Sequence, residues 1–380
     1  MTLSILMVCN STRWIGAARM PRPLTRAGFD VSMLTPEGSL AAHTRFIARI
    51  GYLPVNTTPA QWVHAFAAMV KGTNPQFVMP CDDIALRLLQ ALVLSPPATM
   101  QPALATELGV LIRKSLGAPA HYRTAIGKTL LPPAAEALGI AVPAHRVVDG
   151  LAEAAEFAAE HGYPVVLKRD HSTAGDGVEI CADRADLERW MAAFRNPALD
   201  LLDSSDKLLI QKHIAGRTRF YPAMAWNGEL LTGYAGEKLV GSATAKGPPT
   251  VNRYSRSPAL REVARKLAAG FGITGFFSPE FIEEEATGTP YLIEINRRLV
   301  GGAHRGSAIG VDHCAALHAA LTGAPIPTRA DLDEGEEHVT VHFPQEWLRD
   351  PDSRWLREHP VDVPWDDPQL IEAMLALRHE

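Results

Sequence analysis

The stretch GFFSPEFIEEEATGTPYLIEINRRLVGG (275–302) holds two apolar, strand-like runs, PEFIE and PYLIEINRR. A polar turn with Thr287, Gly288, Thr289 and Pro290 joins them, which is a hairpin signal. In the second run Tyr291, Ile293 and Ile295 alternate with Leu292, Glu294 and Asn296, and Arg298 follows two residues on. Side chains alternate faces along a strand, so Glu294, Asn296 and Arg298 are expected on one face. Glu280, near the start of the first run, adds a second carboxylate to that face. Two carboxylates and an amide oxygen make a hard oxygen site of the kind that holds a divalent cation through phosphate groups. The hairpin alone leaves a second reading open, an exposed sheet edge with a solvated charged face.

Bulk properties narrow the function. A chain of 380 residues is long enough for two or three domains, each with its own core. It is 47% hydrophobic and 21% charged, as ordinary globular proteins are. A formal net charge of −5 and the lack of basic runs argue against nucleic acid or an anionic membrane surface as partner. Cys9, Cys81, Cys181 and Cys314 lie far apart, with no CxxC pair, so neither a zinc site nor a disulfide framework is expected. Reduced thiols in the cytoplasm are the default. The opening MTLSILMVCN lacks a basic leader and reads as a first strand. The apolar tract 84–112 is broken by Pro96, Pro97 and Pro102, which excludes a membrane span.

Residues 1–115 alternate strand and helix: LSILMVC, GFDVSML and FVMPC read as buried parallel strands, and 83–94 as a helix. That alternation points to a Rossmann-like open sheet, but the turn NSTRWIGAAR lacks GxGxxG. Asp82 and Asp83 follow the third strand, where such sheets bind ligands; capping the next helix explains them equally well. Lys128 precedes a helix expected to be broken by Pro132 and Pro133, and 151–161 reads as an amphipathic helix. In YPVVLKRDHSTAGDGVEIC (163–181) a strand ends near Lys168. The loop after it, with Gly175 and Gly177, exposes backbone N–H groups suited to phosphate oxygens. The Walker spacing is absent. DKLLIQKHIAG (206–216) is a further strand, Asn227–Gly228 a hairpin turn, and 257–272 a helix capped by Ser257 and Pro258. Two Trp-bearing amphipathic pieces are expected after the strand HVTVHF.

Taken in order, these pieces resemble the ATP-grasp superfamily, over roughly 70–325. IEINRR is similar to the family's E-[IVM]-N-x-R, and PVVLK with its Gly-rich loop is the next most specific match. The resemblance implies a mixed α/β (α+β) fold with a Rossmann-like domain (1–115), a central and lid subdomain (116–205), an antiparallel-sheet lobe with the metal site (206–328) and a C-terminal extension (329–380). ATP would lie between lid and lobe. Carried over residue by residue, Lys128 and Lys168 hold the ATP phosphates, and Gly175 and Gly177 belong to the closing loop. Gln211, Lys212, His213 and Ile214 form the hinge that meets the adenine. Glu280, Glu294 and Asn296 ligate Mg²⁺, with Mn²⁺ an alternative. Arg298 and Lys238 face the transferred phosphoryl group. Two departures stand out. Arg217 and Thr218 occupy the place of the family's ribose-binding acid, and Arg297 replaces the usual Pro, pointing away from Arg298 in a structural role.

What the resemblance implies is an ATP-dependent carboxylate–amine ligase working through an acyl phosphate, with amino acids or other small molecules as substrates. His304 and Arg305 are the candidate substrate residues. A bicarbonate-activating carboxylase and an inactive nucleotide-binding module are the rival readings. The resemblance leaves a homodimer open.

Overall fold

Six successive residues of the first strand, β1 (Leu3–Val8), are apolar apart from Ser4, and a strand buried on both faces needs such a run. In the computed structural model, which describes residues 2–170, 177–194, 207–242 and 248–377, β1 lies between β2 (Phe29–Pro36) and β4 (Phe77–Pro80), all parallel. A fourth strand, β3 (Arg49–Leu53), extends the order to β3-β2-β1-β4. Sequence reading misses β3 because RIGYL buries only Leu53 and so lacks an apolar run. Apolar cores fill both faces of this sheet.

A second sheet contains β5 (His145–Val148), β6 (Val165–Arg169), β7 (Val178–Cys181) and β8 (Leu208–Lys212), in the order β5-β8-β6-β7. Helices Leu151–His161 and Arg184–Phe194 cover one face through Phe157, Leu187 and Met191. On the other face the central Leu209, Gln211 and Lys168 are buried, and Val147 and Ile180 on the two outer strands are exposed. Because β8 pairs with β5 and β6, the expected boundary at 205/206 falls before the last strand of this sheet.

The third sheet runs β11-β10-β14-β9-β12-β13-β16. Its strands are β9 (Gly216–Phe220), β10 (Ala223–Trp226), β11 (Glu229–Gly233), β12 (Ala235–Val240), β13 (Val251–Ser255), β14 (Gly275–Glu284), β15 (Pro290–Asn296) and β16 (Glu337–Val341). β15 pairs with β14 as the second half of the predicted hairpin. Helix Pro258–Gly270 packs on one face through Leu260, Ala264 and Leu267. Residues 122–142, expected with the lid, contribute Ala125, Leu131, Ala135 and Ile140 to the same core. Pro132 and Pro133 do not break a helix. They occupy the first turn of Leu131–Ala137, where the missing N–H has no intrahelical acceptor.

The last segment ties the pieces together. β16 adds to the large sheet, and helix Pro368–Ala376, beyond the two Trp-bearing helices, places Leu370 and Met374 in the core of the first sheet. Among the described residues no helix is long and apolar enough to cross a membrane.

Between the first sheet and the large one, Gly117 stands at φ +86°, and a Cβ there would meet the Gly272 carbonyl oxygen at 2.0 Å. The next residue donates its N–H to that same oxygen at 3.0 Å. Gly117→Ala is therefore expected to cost about 2 kcal/mol or more, from strain and overpacking together, and a urea unfolding curve reads the loss.

Candidate active site

The hairpin brings the expected acids together. Ser278 stands opposite Asn296, and Glu280 opposite Glu294. The alternation then slips. Phe281 pairs with Leu292, so Ile293 has no residue opposite it, which is a one-residue bulge. The bulge corrects the expectation that Leu292 and Glu294 share a face. Leu292 enters the core beside Ile295, while Glu294 and Asn296 turn to the other side with Glu280. Asn296 Nδ2 donates to Oε1 of Glu280 at 3.0 Å and to Oε1 of Glu294 at 3.2 Å.

Cations arrive from separate elements. Lys238, on β12, donates to Glu280 Oε2 at 2.9 Å. Lys168, on β6 of the second sheet, is 6% exposed and donates to the carbonyl of the bulged Ile293 at 3.2 Å. Lys128 lies between helices Tyr122–Ile126 and Leu131–Ala137, close enough for its charge to act on Glu294. Arg298 donates from Nε to Asp83 at 3.0 Å, and its guanidinium sits 5.8 Å from the centre of the Trp14 ring.

The field splits the two acids. Burial, with Glu294 adding to it, lifts Glu280 above the usual carboxylate range even though Lys238 opposes the rise. Burial also works against the charge on Glu294, but Lys128, Lys168, Lys238 and Arg298 outweigh it and hold that group below the usual range. Burial depresses Lys128, against the pull of Glu294 and Asp170. It lowers Lys168 to about 8.

Sequence reasoning missed Asp170, two residues after Lys168. Its carboxylate accepts the Lys128 N–H and, at 2.6 Å, the Thr129 hydroxyl, which joins the second sheet to the Lys128 loop. The KRD run was the available signal. The pair Asp82–Asp83 divides its work. Asp82 caps helix Asp83–Leu94 through the Ala85 N–H and accepts the N–H groups of Asn10 and Ser11. Asp83 takes Arg298. Arg297 points away, buried, and donates to the Leu116 carbonyl at 2.7 Å, as its structural reading requires.

Gln211 and Lys212 end β8 and His213 and Ile214 follow it, between the second sheet and β9 at Gly216. Gln211 and Ile214 are buried, and Lys212 is exposed. Gly177 closes the β6–β7 hairpin by accepting the Arg169 N–H at 2.7 Å. Gly175 lies outside the described residues. Arg217 pairs with Glu283 at 2.6 Å on the sheet face opposite to Glu280, which leaves Thr218 on the Glu280 side. The exposed apolar side chains on the outer strands of the second sheet were not anticipated. Val147 and Ile180, 37% and 56% exposed, stand on the same side as Lys168. His304 is buried on Asp362 at 2.6 Å, and Arg305 donates to Thr340 Oγ1 at 3.4 Å.

Among the described residues no three His, Cys, Asp or Glu side chains gather into a metal cluster. Two carboxylates and one amide oxygen are a partial donor set. It suits a hard cation that takes its remaining oxygens from phosphate and water.

Residues 133–219 match the family model of the carbamoyl-phosphate synthase L chain ATP-binding domain. The chain is 27% identical over 228 residues to the mitochondrial arginine-specific carbamoyl phosphate synthase large chain of Neurospora crassa, covering 56% of this chain and 19% of that protein. It is 30% identical over 170 residues to the carbamoyl phosphate synthase large chain of Clostridium beijerinckii, covering 43% and 15%. The aligned stretch thus spans under a fifth of these curated relatives. Among solved structures, the biotin carboxylase domain of the Hydrogenobacter thermophilus 2-oxoglutarate carboxylase superposes with a TM-score of 0.69 at 17% identity, covering 89% of this chain and 74% of that one. The L-amino acid ligase of Bacillus licheniformis gives 0.58 at 16%, covering 84% and 74%.

Lys168 offers a check on the site's electrostatics. Its ammonium loses its proton near pH 8 in the folded chain and only near ~10.4 when unfolded, so stability rises with pH across that window. Lys168→Met is expected to shrink that rise by roughly 1–3 kcal/mol, measured as the difference in urea unfolding between the two proteins at about pH 7.5 and 10.5. The matched domain and the three sheets give the chain an ATP-grasp fold.

Proposed function

We propose that the chain is an ATP- and Mg²⁺-dependent ligase that activates a small carboxylate as an acyl phosphate and transfers it to an amine, releasing ADP and phosphate. The observation that carries this reading is the convergence of Lys128, Lys168, Lys238 and Arg298 on Glu280 and Glu294 from separate elements of the fold. Phosphoryl transfer asks a protein mainly for alignment and charge neutralisation, and this is such a set.

In this reading Lys128 and Lys168 hold phosphate oxygens, and Glu280, Glu294 and Asn296 hold the cation. A Mg²⁺ held by those residues would offset charge that develops on phosphate oxygens. Arg298 stands by the transferred group, with Asp83 fixing the guanidinium plane. Lys238 leaves Glu280 to meet the same charge. Residues 211–214 lie along the purine's edge, and Thr218 is a polar side chain on the site's face near the hinge. Acyl phosphates hydrolyse readily, so the β6–β7 loop with Gly175 and Gly177 acts to exclude water.

The solved neighbours include a biotin carboxylase domain in complex with MgADP and bicarbonate and an L-amino acid ligase, so acid identity is the point to test. The purified chain is incubated with ATP, Mg²⁺ and pools of carboxylates and amines, and ADP is measured. The expected result is release that needs one acid and one amine together. Release with bicarbonate alone would support the carboxylase reading instead. No release with any pool, despite nucleotide binding, would mark an inactive module. Glu294→Gln is expected to cut the rate by at least ~100-fold in a chain that still folds, and a fully active variant would remove the metal assignment.

A further inference from the structure

Glu280 has both carboxylate oxygens engaged. Oε1 accepts the Asn296 amide at 3.0 Å, and Oε2 accepts the Lys238 ammonium at 2.9 Å. The same amide reaches Oε1 of Glu294 at 3.2 Å, so it spans the two acids as a crossbar. Lys238 thus holds one of the oxygens assigned to the cation. An ammonium and a divalent ion do not share such an oxygen. Standing a few ångströms apart, they would repel by more than a partly exposed ion pair is worth.

The charge around the acids points the same way. Lys128, Lys168, Lys238 and Arg298 all act on Glu294. Asp83 answers Arg298 at 3.0 Å, and Asp170 pulls on Lys128. With Glu280 and Glu294, four carboxylates stand against four cations. The nucleotide-free site therefore has no net negative charge with which to draw a divalent ion. A polyphosphate changes that balance, because it brings several negative charges and strong acceptor oxygens of its own.

Lys238 is free to respond. Its side chain is 32% exposed, and Glu280 is its one hydrogen-bond partner among the described residues. The ladder slips just beyond it: Lys238 faces Asn252 but Val240 faces Val251, which leaves Leu239 unpaired. A lysine carries its charge on a flexible four-carbon stem, so the ammonium can exchange a carboxylate for a phosphate while the strand stays in place. Arg298, by contrast, is held by Asp83 and lies over the Trp14 ring.

We propose that Lys238 is a counter-ion that keeps the divalent cation out of the nucleotide-free site and yields its place when a nucleotide polyphosphate draws the ammonium off Glu280. Nucleotide and metal then bind with positive coupling, each raising the affinity for the other. The inference rests on the reading of Glu280, Glu294 and Asn296 as cation ligands. It adds an order to the filling of that site and names the residue that sets it.

Binding of Mn²⁺ alone tests it, with no substrate required. The full-length chain, free of nucleotide, is titrated with Mn²⁺, and the unbound ion is followed by its EPR signal. Weak binding is expected for the unaltered protein. Lys238→Met is expected to bind the ion roughly 10- to 100-fold more tightly. Lys128→Met removes the same charge near the acids but frees no oxygen of Glu280, and only a few-fold gain is expected from it. Lys238→Gln replaces the methionine variant if that one does not fold. Adding Glu294→Gln to Lys238→Met is expected to abolish the gain. Equal gains from Lys238→Met and Lys128→Met, or no gain from Lys238→Met, would overturn the proposal. So would a Kd of about 10 μM or tighter for the unaltered protein, the range of preformed cation sites, and that result needs no variant. A gain that survives Glu294→Gln would instead place the ion elsewhere and overturn the reading of these residues as cation ligands.

Discussion

Two carboxylates facing each other across a pair of strands are the constraint on which this fold depends. Directly opposed like charges destabilise a sheet, and partial burial makes the repulsion worse. Glu280 and Glu294 are such a pair, and the hairpin alone cannot hold them. The Asn296 amide donates to both, and positive charge comes from β12, from β6 in another sheet, from the loop at Lys128 and from Arg298 beyond the strand. The elements that pack around this hairpin are thus the ones that make its charge tolerable. The acids are not equivalent as a result. Most of the cations act on Glu294, and Lys238 is directly bonded to Glu280.

The bulge at Ile293 is the local device that permits this. Strict alternation would have sent Leu292 and Glu294 to one side, placing either an acid in the core or a leucine among the lysines. One unpaired residue resets the phase, so Leu292 enters the core and Glu294 the site. The same residue turns its carbonyl to Lys168, which gives a buried ammonium an acceptor as well as a counter-charge. Ladder irregularity here serves packing and electrostatics together.

Much of this was legible from residue order. The hairpin, the strand ending at Lys168, the helix caps at Asp82 and Ser257 and the pairing of Glu280 with Glu294 and Asn296 follow from periodicity and turn chemistry. The bulge was not, because alternation reads faces only while the register holds. β3 escaped because an edge strand with one buried residue has no apolar run to show. The second sheet was drawn too short because β8 reaches back across the chain to pair with β5 and β6, and strand pairing over that separation leaves no local mark. The partners of His304 and Arg298 were equally remote, since Asp362 and Asp83 lie 58 and 215 residues away.

Those remote contacts separate the parts of the molecule that are tied firmly from those that are not. The first sheet is fastened to the large lobe by Arg298 on Asp83, by Arg297 on the Leu116 carbonyl, by Arg19 on Asp362 and by the Ala118 N–H on Gly272, along with apolar side chains from helix Pro368–Ala376. The second sheet, in contrast, meets the Lys128 loop and the hairpin through polar contacts: Lys168 on Ile293, and Asp170 on Lys128 and Thr129. Most of its buried apolar residues pack against its own two helices. Polar contacts of that kind exchange readily with water or with a phosphate, whereas a shared apolar core does not come apart cheaply. The groups that join the second sheet to the rest are also the groups proposed to hold phosphate. A ligand between them would therefore replace the tie with a stronger one.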